Sequence, residues 1–220
     1  MRNVCIIPAR SGSKRIKNKN IRKLAGKPLV SWTIEAAQAT DIFDEIIVST
    51  DSNDVADIAR HYGINVPSLR PVELSGDYTT AAEVIAYHTA NVSECNICYL
   101  QPTSPLRSVD DIVNSYNLLI KEQVGAVVSV SDFTVPLNWI YDDSIDFGSF
   151  ISGVGAKRSQ DYDKKYVLNG AIYWVRNSLF KEFGTHLLTE NIIPYVMPQD
   201  RSVDIDEEID FKIAESILGN

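Results

Sequence analysis

Five basic residues lie within ten positions near the start of the chain, among small residues that could help them bind an anion. The stretch contains Arg10, Ser11, Gly12, Ser13, Lys14, Arg15, Lys17, Lys19 and Asn20. Small residues let the backbone curl so that successive amides point at one anion, and the basic side chains surround that anion with positive charge. We therefore predict a phosphate-binding loop. A solvated turn remains the alternative, because the stretch lacks the GxxxxGK[ST] and GxGxxG patterns.

Two carboxylates near the end of the chain, Asp204 and Asp206, form a second candidate site. In an extended segment alternate side chains share a face, so the two carboxylates lie side by side while Val203 and Ile205 point to the core. Neighbouring carboxylates repel each other unless a cation lies between them, and Mg²⁺ takes one or two carboxylates plus substrate phosphates. The pair therefore predicts a magnesium site. Alternatively, the acidic residues only favour the start of the following helix.

A third candidate segment, QPTSPLR at residues 101–107, follows an apolar run that predicts a buried strand. Its two prolines exclude both helix and strand, so the turn is held rigidly where ligands bind in parallel sheets. Together, a basic loop, a rigid polar turn and a carboxylate pair indicate a site for a nucleoside triphosphate and one or two magnesium ions. The chemistry of such a site is phosphoryl or nucleotidyl transfer.

Strands and helices alternate in the hydrophobic pattern, as they must to bring these three segments together. Short apolar runs predict strands at residues 4–7, 45–50, 64–66, 96–100, 126–130, 171–175 and 192–197. Apolar residues at helical spacing predict helices that begin near residues 29, 53, 81, 109 and 206. We predict an α/β fold over residues 1–220, a single Rossmann-like domain built as a three-layer α/β/α sandwich with a mostly parallel, mixed sheet.

Residues 132–166 interrupt this alternation with aromatic side chains among glycines and charges. We predict an irregular excursion of loops and short antiparallel strands, which forms a lid over the site or a dimerisation arm. Exposed aromatic residues on such an arm favour an interface.

Composition and charge limit the partners of the chain. Its 21 basic and 29 acidic side chains give a net charge of -8, which argues against a nucleic-acid surface and an anionic membrane surface. No apolar run approaches the roughly 20 residues that span a bilayer. Three cysteines are too few, and odd in number, for a disulfide framework. We expect a cytoplasmic protein with neither nucleic acid nor membrane as a partner.

Five motifs resemble, in order and spacing, those of the acylneuraminate cytidylyltransferases, the CMP-sialic acid synthetase family. They are IPARSGSKRIKNKNI, LRPVELSGDYTT, LQPTSPLR, the segment from RSQD to NGAIY, and SVDIDEEIDF, and they cover essentially the whole chain. The resemblance implies a nucleotidyltransferase fold and an enzyme that joins CMP from CTP to a nine-carbon 2-keto-3-deoxy sugar acid, a nonulosonic acid. It also implies a homodimer in which the excursion swaps between subunits.

The same resemblance implies roles for individual residues. The CTP phosphates would be bound by Arg10, Lys19 and the backbone of Ser11, Gly12 and Ser13, and the ribose by Asn20. Cytosine would be read by Thr80 and by the region of Leu100 and Gln101. The sugar side would be lined by Gln101, Arg158, Gln160 and Asn169. Mg²⁺ would be held by Asp204 and Asp206.

The implied reaction is an in-line attack of the sugar's anomeric 2-hydroxyl on the α-phosphorus, with pyrophosphate leaving. Mg²⁺ on Asp206, with Asp204, would polarise the α-phosphate and lower the pKa of the attacking hydroxyl. Arg10 and Lys19 would stabilise the charge on the leaving pyrophosphate. No side chain stands out as a general base.

Departures from the family pattern concern the sugar. Members that use N-acetylneuraminate commonly carry a basic residue near Asn138 and an arginine just before NGAIY, where this chain has Val167 and Leu168. The less polar positions favour a more deoxygenated sugar such as legionaminate or pseudaminate. Two alternatives stay open: a cytidylyltransferase for keto-deoxy-octulosonate, whose first motif usually lacks the long KRIKNKN run, and a non-catalytic nucleotide-binding module.

Overall fold

The computed structural model describes residues 1–66, 68–154, 158–178 and 191–219. The strands of the described residues are β1 (Arg2–Pro8), β2 (Lys23–Leu24), β3 (Lys27–Pro28), β4 (Glu45–Ser49), β5 (Cys95–Tyr99), β6 (Ala126–Phe133), β7 (Lys165–Arg176) and β8 (Ile192–Met197). Helices account for α1 (Leu29–Gln38), α2 (Asn53–His61), α3 (Ala81–Thr89), α4 (Val109–Lys121), α5 (Phe147–Val154) and α6 (Glu208–Leu218). Short 3₁₀ turns occur at Lys19–Ile21, Val72–Leu74, Leu137–Trp139, Ser159–Asp161 and Gln199–Arg201.

Six of the strands form one mixed sheet in the order β4-β1-β5-β7-β6-β8. Strand β1 pairs in parallel with β4 and β5, and β6 pairs in parallel with β8. Only β7 runs against its two neighbours in this sheet. The carboxyl ends of β1, β4 and β5 therefore meet at one edge, from which the loops that follow them project.

Hydrophobic clusters cover both faces of the sheet. One cluster joins β1, β5 and β6 to α1, α2 and α4. The second joins the opposite face to α3. The predicted α/β fold, with helices on both sides of a mostly parallel, mixed sheet, is confirmed. Among the described residues no helix has both the length and the hydrophobicity needed to cross a bilayer.

Local signals explain where several helices begin. Ser108 and Asp111 form a reciprocal capping box at the start of α4, and the side chain of Ser52 accepts a hydrogen bond from Val55 at the start of α2. The sequence predicted helices that begin near residues 53 and 109, where these two helices start. The last helix begins at Glu208 rather than near 206, so Asp206 lies in the extended segment before it.

Three predictions about local structure were wrong. Residues 64–66 form a loop rather than a strand, although Ile64 and Val66 are buried, because burial alone produces the same apolar signal. The excursion contains a helix, α5. The strand predicted at residues 171–175 begins earlier, at Lys165: β7 continues through Asn169 and Gly170, with φ of +73° at Gly170 and a shifted register between Val128 and Val130. A glycine tolerates this backbone conformation where the extra residues of an irregular register must fit.

Candidate active site

A cavity of about 330 Å³ opens at the carboxyl ends of β1 and β5. Four segments line it: the basic loop after β1, the loop at residues 70–79, the turn that begins at Gln101, and Asp206. The fold thus brings together the three segments that the sequence singled out. Its position matches the general rule for ligand sites in open α/β sheets.

The basic loop supplies one wall of the cavity. The residues that line it are Arg10, Ser13, Lys14, Arg15, Lys19 and Asn20. Ile16 is buried against α6 and anchors the loop from behind. The amide of Asn20's side chain donates to the carbonyl oxygen of Arg10 at 2.9 Å, which ties the two ends of the loop together.

The amides of this loop do not converge on one point, contrary to our prediction. The Ser11 amide and hydroxyl both donate to the carboxylate of Asp51, each at 2.7 Å. The Ser13 amide donates to the Ser11 carbonyl oxygen at 2.9 Å. Although partial burial of Asp51 opposes it, the hydrogen bonds from Ser11 lower the pKa of this carboxyl. In this structure the positive character of the loop therefore comes from its side chains.

Carboxylates face these side chains on two sides. Asp77 accepts from Nη1 of Arg10 at 2.8 Å and from Nζ of Lys14 at 2.5 Å. Asp206 lies 3.1 Å from Nζ of Lys19 and 3.0 Å from Nη1 of Arg15. Four cations of the basic loop thus form two groups, one at Asp77 and one at Asp206.

The segment that carries the candidate metal ligands is held in an extended form by its neighbours. Ile205 is completely buried, and its amide donates to the carbonyl oxygen of Thr103 at 2.7 Å. Lys19 donates to the Ile205 carbonyl oxygen at 2.7 Å. Because Ile205 points inward, as predicted, the side chains of Asp204 and Asp206 are displayed away from the core.

The electrostatics of Asp204 and Asp206 fit a cation site. Desolvation raises the pKa of the Asp204 carboxyl, and the negative charge of Asp206 raises it further, against a hydrogen bond from Thr103. A carboxylate whose ionisation is disfavoured by a neighbouring carboxylate suits a divalent cation. Among the described residues no group of three or more histidine, cysteine, aspartate or glutamate side chains forms a cage, so a metal here would need oxygen atoms from the substrate.

An ion pair fixes the start of the same segment. The guanidinium of Arg201 donates to both oxygens of Asp111, at 2.8 and 3.0 Å, and the Asp111 side chain is fully buried. Burial opposes ionisation, but hydrogen bonds from Arg201 and Ser108 lower the pKa of this carboxyl. One residue later, the Ser202 hydroxyl accepts from the amide of Asn169 at 3.0 Å.

A partly apolar recess lies at the other end of the cavity. It is lined by Pro8, Leu74, Val84 and Tyr99, with Arg70 beside them. Arg70 is 5 % exposed, and burial lowers the pKa of its guanidinium. Flat apolar walls with one buried cation suit a heterocyclic base that offers hydrogen-bond acceptors.

The comparisons with known proteins decide the family. Residues 4–142 match the family model described as "Cytidylyltransferase". The chain belongs to this family. It is therefore a nucleotidyltransferase enzyme.

Three curated relatives of this cytidylyltransferase resemble it over nearly its whole length. The pseudaminic acid cytidylyltransferase of Campylobacter jejuni is 32% identical, covering 98% of the chain and 95% of the relative. The CMP-N,N'-diacetyllegionaminic acid synthase of Legionella pneumophila is 35% identical, covering 99% and 97%. The N-acylneuraminate cytidylyltransferase of Escherichia coli is 35% identical over 97% of the chain, which spans only 51% of that relative.

Solved structures agree on the fold. A CMP:2-keto-3-deoxy-manno-octonic acid synthetase in complex with CTP superposes with a TM-score of 0.75 at 14% identity, over 100% of this chain and 99% of that one. The 4-diphosphocytidyl-2C-methyl-D-erythritol synthase of Anaerococcus prevotii superposes with a TM-score of 0.65 at 16% identity, with the same coverage.

Several predicted site residues meet at the cavity of the cytidylyltransferase, and others do not. Gln101 lines it. Leu100 is completely buried beside it, so only its backbone could face a ligand. The Thr80 hydroxyl accepts from the amide of Glu83 and caps α3, while Thr79 lines the cavity instead. The role predicted for Thr80 stays a prediction.

The predicted sugar-side residues are dispersed within one chain. Arg158 is exposed and pairs with Asp161 through two contacts of 3.0 Å. Gln160 lines a separate cavity of about 420 Å³ on the excursion. Asn169 is 6 % exposed, and its side chain bonds Ser129 at 2.6 Å, so it organises the bulge beside Gly170. A Cβ atom at Gly170 would lie 3.6 Å from Gln101 and 3.8 Å from Asp204.

Sequence reasoning assigned no role to Arg70, Tyr99, Asp51 or Asp77. The loop that contains Arg70 and Asp77 has no periodic pattern, so burial of one arginine and pairing of one aspartate leave no trace in it. Tyr99 ends a strand whose residues are all apolar or buried, and its place in the cavity wall depends on strand order.

Proposed function

We propose that the protein transfers CMP from CTP to the anomeric 2-hydroxyl of a nine-carbon 2-keto-3-deoxy sugar acid and releases pyrophosphate. One observation carries the proposal: a single cavity is lined by four cations of the basic loop, by Asp206 opposite them and by the recess around Arg70. The cavity thus offers one region for the triphosphate, one for the reacting α-phosphorus and one for the base. The relatives named for pseudaminic, legionaminic and neuraminic acids support a nonulosonic acid as the second substrate.

In this proposal Asp206 and Asp204 hold Mg²⁺, which would supply positive charge at the α-phosphate. Lys19 and Arg15 lie beside Asp206 and stabilise charge that develops on the bridging and leaving oxygens. Arg10 and Lys14 bind the outer phosphates. Asn20, which faces the cavity next to Arg10, binds the ribose.

Cytosine would occupy the recess beside Arg70, close to Gln101. A guanidinium has only donors, so it matches the acceptors O2 and N3 of cytosine and opposes the N3–H of uracil. This assignment adds Arg70 to the base-reading residues predicted from the sequence.

We also propose a homodimer that acts in the cytoplasm. The excursion exposes large apolar side chains, among them Leu137, Trp139, Tyr141, Phe147 and Ile151, each with more than a third of its surface accessible. Isolated side chains of this kind are common, but a cluster on one arm is typical of an interface. The partner's arm would bring the regions of Arg158 and Gln160 to the sugar side of the site.

The apolar residues Val167 and Leu168 favour a sugar with fewer hydroxyl groups, such as pseudaminate or legionaminate. They are 45 % and 53 % exposed at the start of β7, close in sequence to Gly170 and the cavity. Asn138 donates to the Val154 carbonyl oxygen and to the Tyr162 hydroxyl, so it serves the fold of the arm.

Pyrophosphate release from CTP with Mg²⁺ tests the proposal, with N-acetylneuraminate, legionaminate, pseudaminate and keto-deoxy-octulosonate assayed in parallel. We expect release with a nonulosonate and the highest kcat/KM for pseudaminate or legionaminate. A clear preference for N-acetylneuraminate would refute the sugar assignment alone. Release only with keto-deoxy-octulosonate, or none despite CTP binding, would refute the proposed reaction.

A further inference from the structure

Asp77 contacts two cations of the basic loop at once. Nη1 of Arg10 lies 2.8 Å from one carboxylate oxygen, and Nζ of Lys14 lies 2.5 Å from the other. Arg10 and Lys14 line the cavity, whereas Asp77 is not part of its lining. Hydrogen bonds from Lys14 and Arg10 lower the pKa of the Asp77 carboxyl, so it is charged at neutral pH.

The loop that carries Asp77 is held independently of the basic loop. Its first residue, Arg70, donates its amide to the Thr50 carbonyl oxygen at 2.7 Å, after the end of β4. A 3₁₀ turn follows, in which the Ser75 hydroxyl donates to the Pro71 carbonyl oxygen at 2.9 Å. The sheet and this turn therefore set the place of the Asp77 carboxylate, and the flexible basic side chains adjust to it.

The two cations keep donors for a substrate while they contact Asp77. A guanidinium carries five N–H groups and an ammonium three, so each pairing leaves donors free for phosphate oxygens. Long basic side chains lose rotamer freedom when they bind a ligand, and this loss weakens binding. A carboxylate that orients both side chains beforehand reduces the loss.

The two groups of cations also point to two different functions in the site. Lys19 and Arg15 gather at Asp206, next to the proposed metal site and the α-phosphate. Arg10 and Lys14 gather at Asp77, on the other side of the loop. Because Arg10 and Lys14 pair with Asp77 and not with Asp206, we assign them to the β- and γ-phosphates, which leave as pyrophosphate.

We propose that Asp77 is a positioning residue that directs Arg10 and Lys14 toward the β- and γ-phosphates of CTP. The proposal rests on the proposed function of the site. It predicts different effects on CTP and on CMP, because Asp77 acts only through these two cations and CMP lacks the outer phosphates. CTP binding should depend on Asp77, and CMP binding should not.

Calorimetric titration of the full chain with CTP and with CMP, in the presence of Mg²⁺, tests this dependence in Asp77→Ala and Asp77→Asn. Glu73→Gln is the matched control, since Glu73 is an exposed carboxylate of the same loop without an ion pair among the described residues. We expect the CTP dissociation constant to rise about tenfold in Asp77→Ala, because two side chains must then be ordered when CTP binds. CMP should bind within about twofold of the parent protein, as should both nucleotides in Glu73→Gln.

Asp77→Asn and Asp77→Glu separate orientation from charge. Asparagine keeps one acceptor, so its CTP affinity should lie between those of Asp77→Ala and the parent, and glutamate should restore part of the affinity. Melting temperatures should stay unchanged, because the ion pairs are exposed. KM for CTP should rise more than kcat falls.

Three results would overturn the inference. Tighter CTP binding in Asp77→Asn would mean that the carboxylate competes with phosphate for the cations. Equal losses for CTP and CMP would mean that Asp77 shapes the whole loop. Unchanged CTP binding in Asp77→Ala would mean that Asp77 has no role in binding CTP. A parent protein that binds no CTP would instead refute the proposed function, so the two failures are distinguishable.

Discussion

Lys19 and Asp206 are 187 residues apart in the sequence, yet their side chains are only 3.1 Å apart, Nζ to Oδ1. The same ammonium also donates to the backbone of Ile205, immediately before Asp206. The candidate phosphate loop and the candidate metal segment are therefore in direct contact.

Asp206→Ala should abolish turnover and spare CTP affinity. The substitution removes a carboxylate from the proposed metal site, but it leaves the basic loop to bind the triphosphate, and it frees Lys19 and Arg15 from their ion pairs. We expect kcat to fall at least about 100-fold. Pyrophosphate release and calorimetry with CTP measure the two effects. Asp200→Asn, an exposed aspartate nearby, is the control; a similar loss of kcat there, or near-normal turnover in Asp206→Ala, would contradict the assignment.

Arg70→Met should weaken the preference for CTP over UTP. The buried guanidinium provides donors that N3 of cytosine accepts, whereas N3 of uracil carries a hydrogen, so the discrimination should fall by about tenfold or more. Competition between the two nucleotides under single-turnover conditions measures it. Arg60→Met changes an exposed arginine of α2 and should leave the preference intact. An unchanged preference in Arg70→Met would place the base elsewhere.

Arg201→Met should destabilise the protein by about 3 kcal/mol, because it leaves the buried Asp111 carboxylate without its cation. Urea unfolding measures the change. Arg2→Met breaks an exposed pair with Glu45 and should cost about 0.5 kcal/mol or less. Equal losses of stability in the two variants would show that the burial of Asp111 does not increase the cost of breaking its ion pair.

His88 should make stability depend on pH between about 6.5 and 4. Its Nε2 lies 2.8 Å from the Ser49 hydroxyl, and burial, with the charge of Arg70, lowers its pKa to about 4. Because the unfolded chain protonates first, stability is full above pH 6.5 and falls as pH drops toward the folded-state value. The loss should amount to about 3 kcal/mol. His88→Asn should flatten this part of the curve, and the exposed His61→Asn should not.

Phe147→Asp should convert the proposed dimer into a monomer. The side chain is 56 % exposed and packs against Tyr141 and Phe150 on the excursion. A charge there would oppose burial of the arm against a second copy. Light scattering after size exclusion measures the mass. A parent protein that is already monomeric would refute the dimer, and a dimeric variant would move the interface away from α5.

Hydrophobic periodicity was sufficient for the strands of the sheet except at residues 64–66, since alternating buried strands and amphipathic helices produce strong local patterns. Helix starts followed from capping residues such as Ser108. The continuation of β7 through Asn169 and Gly170 could not be foreseen, because the dipeptide is typical of turns and only the neighbouring strand imposes the bulge.

The candidate site was predictable where chemistry is concentrated in sequence, as in the basic loop and the carboxylate pair. It was not predictable where pairing depends on distant segments. The carboxylate of Asp51 engages the amide of Ser11 from another loop and so occupies a donor that we expected to face an anion. Arg70 and Asp77 escaped notice for the same reason.

Ile16, Ile205 and Phe211 share one small hydrophobic cluster, which lies directly behind the basic loop and the carboxylate segment. Helix α6 supplies Phe211 and Ala214 to it, so the two charged walls of the cavity rest on the same support. Detachment of this last helix would expose both isoleucines and release both walls together. Catalytic competence is therefore tied to the docking of the C-terminal helix, and amides on the two walls should exchange with solvent as one cooperative unit.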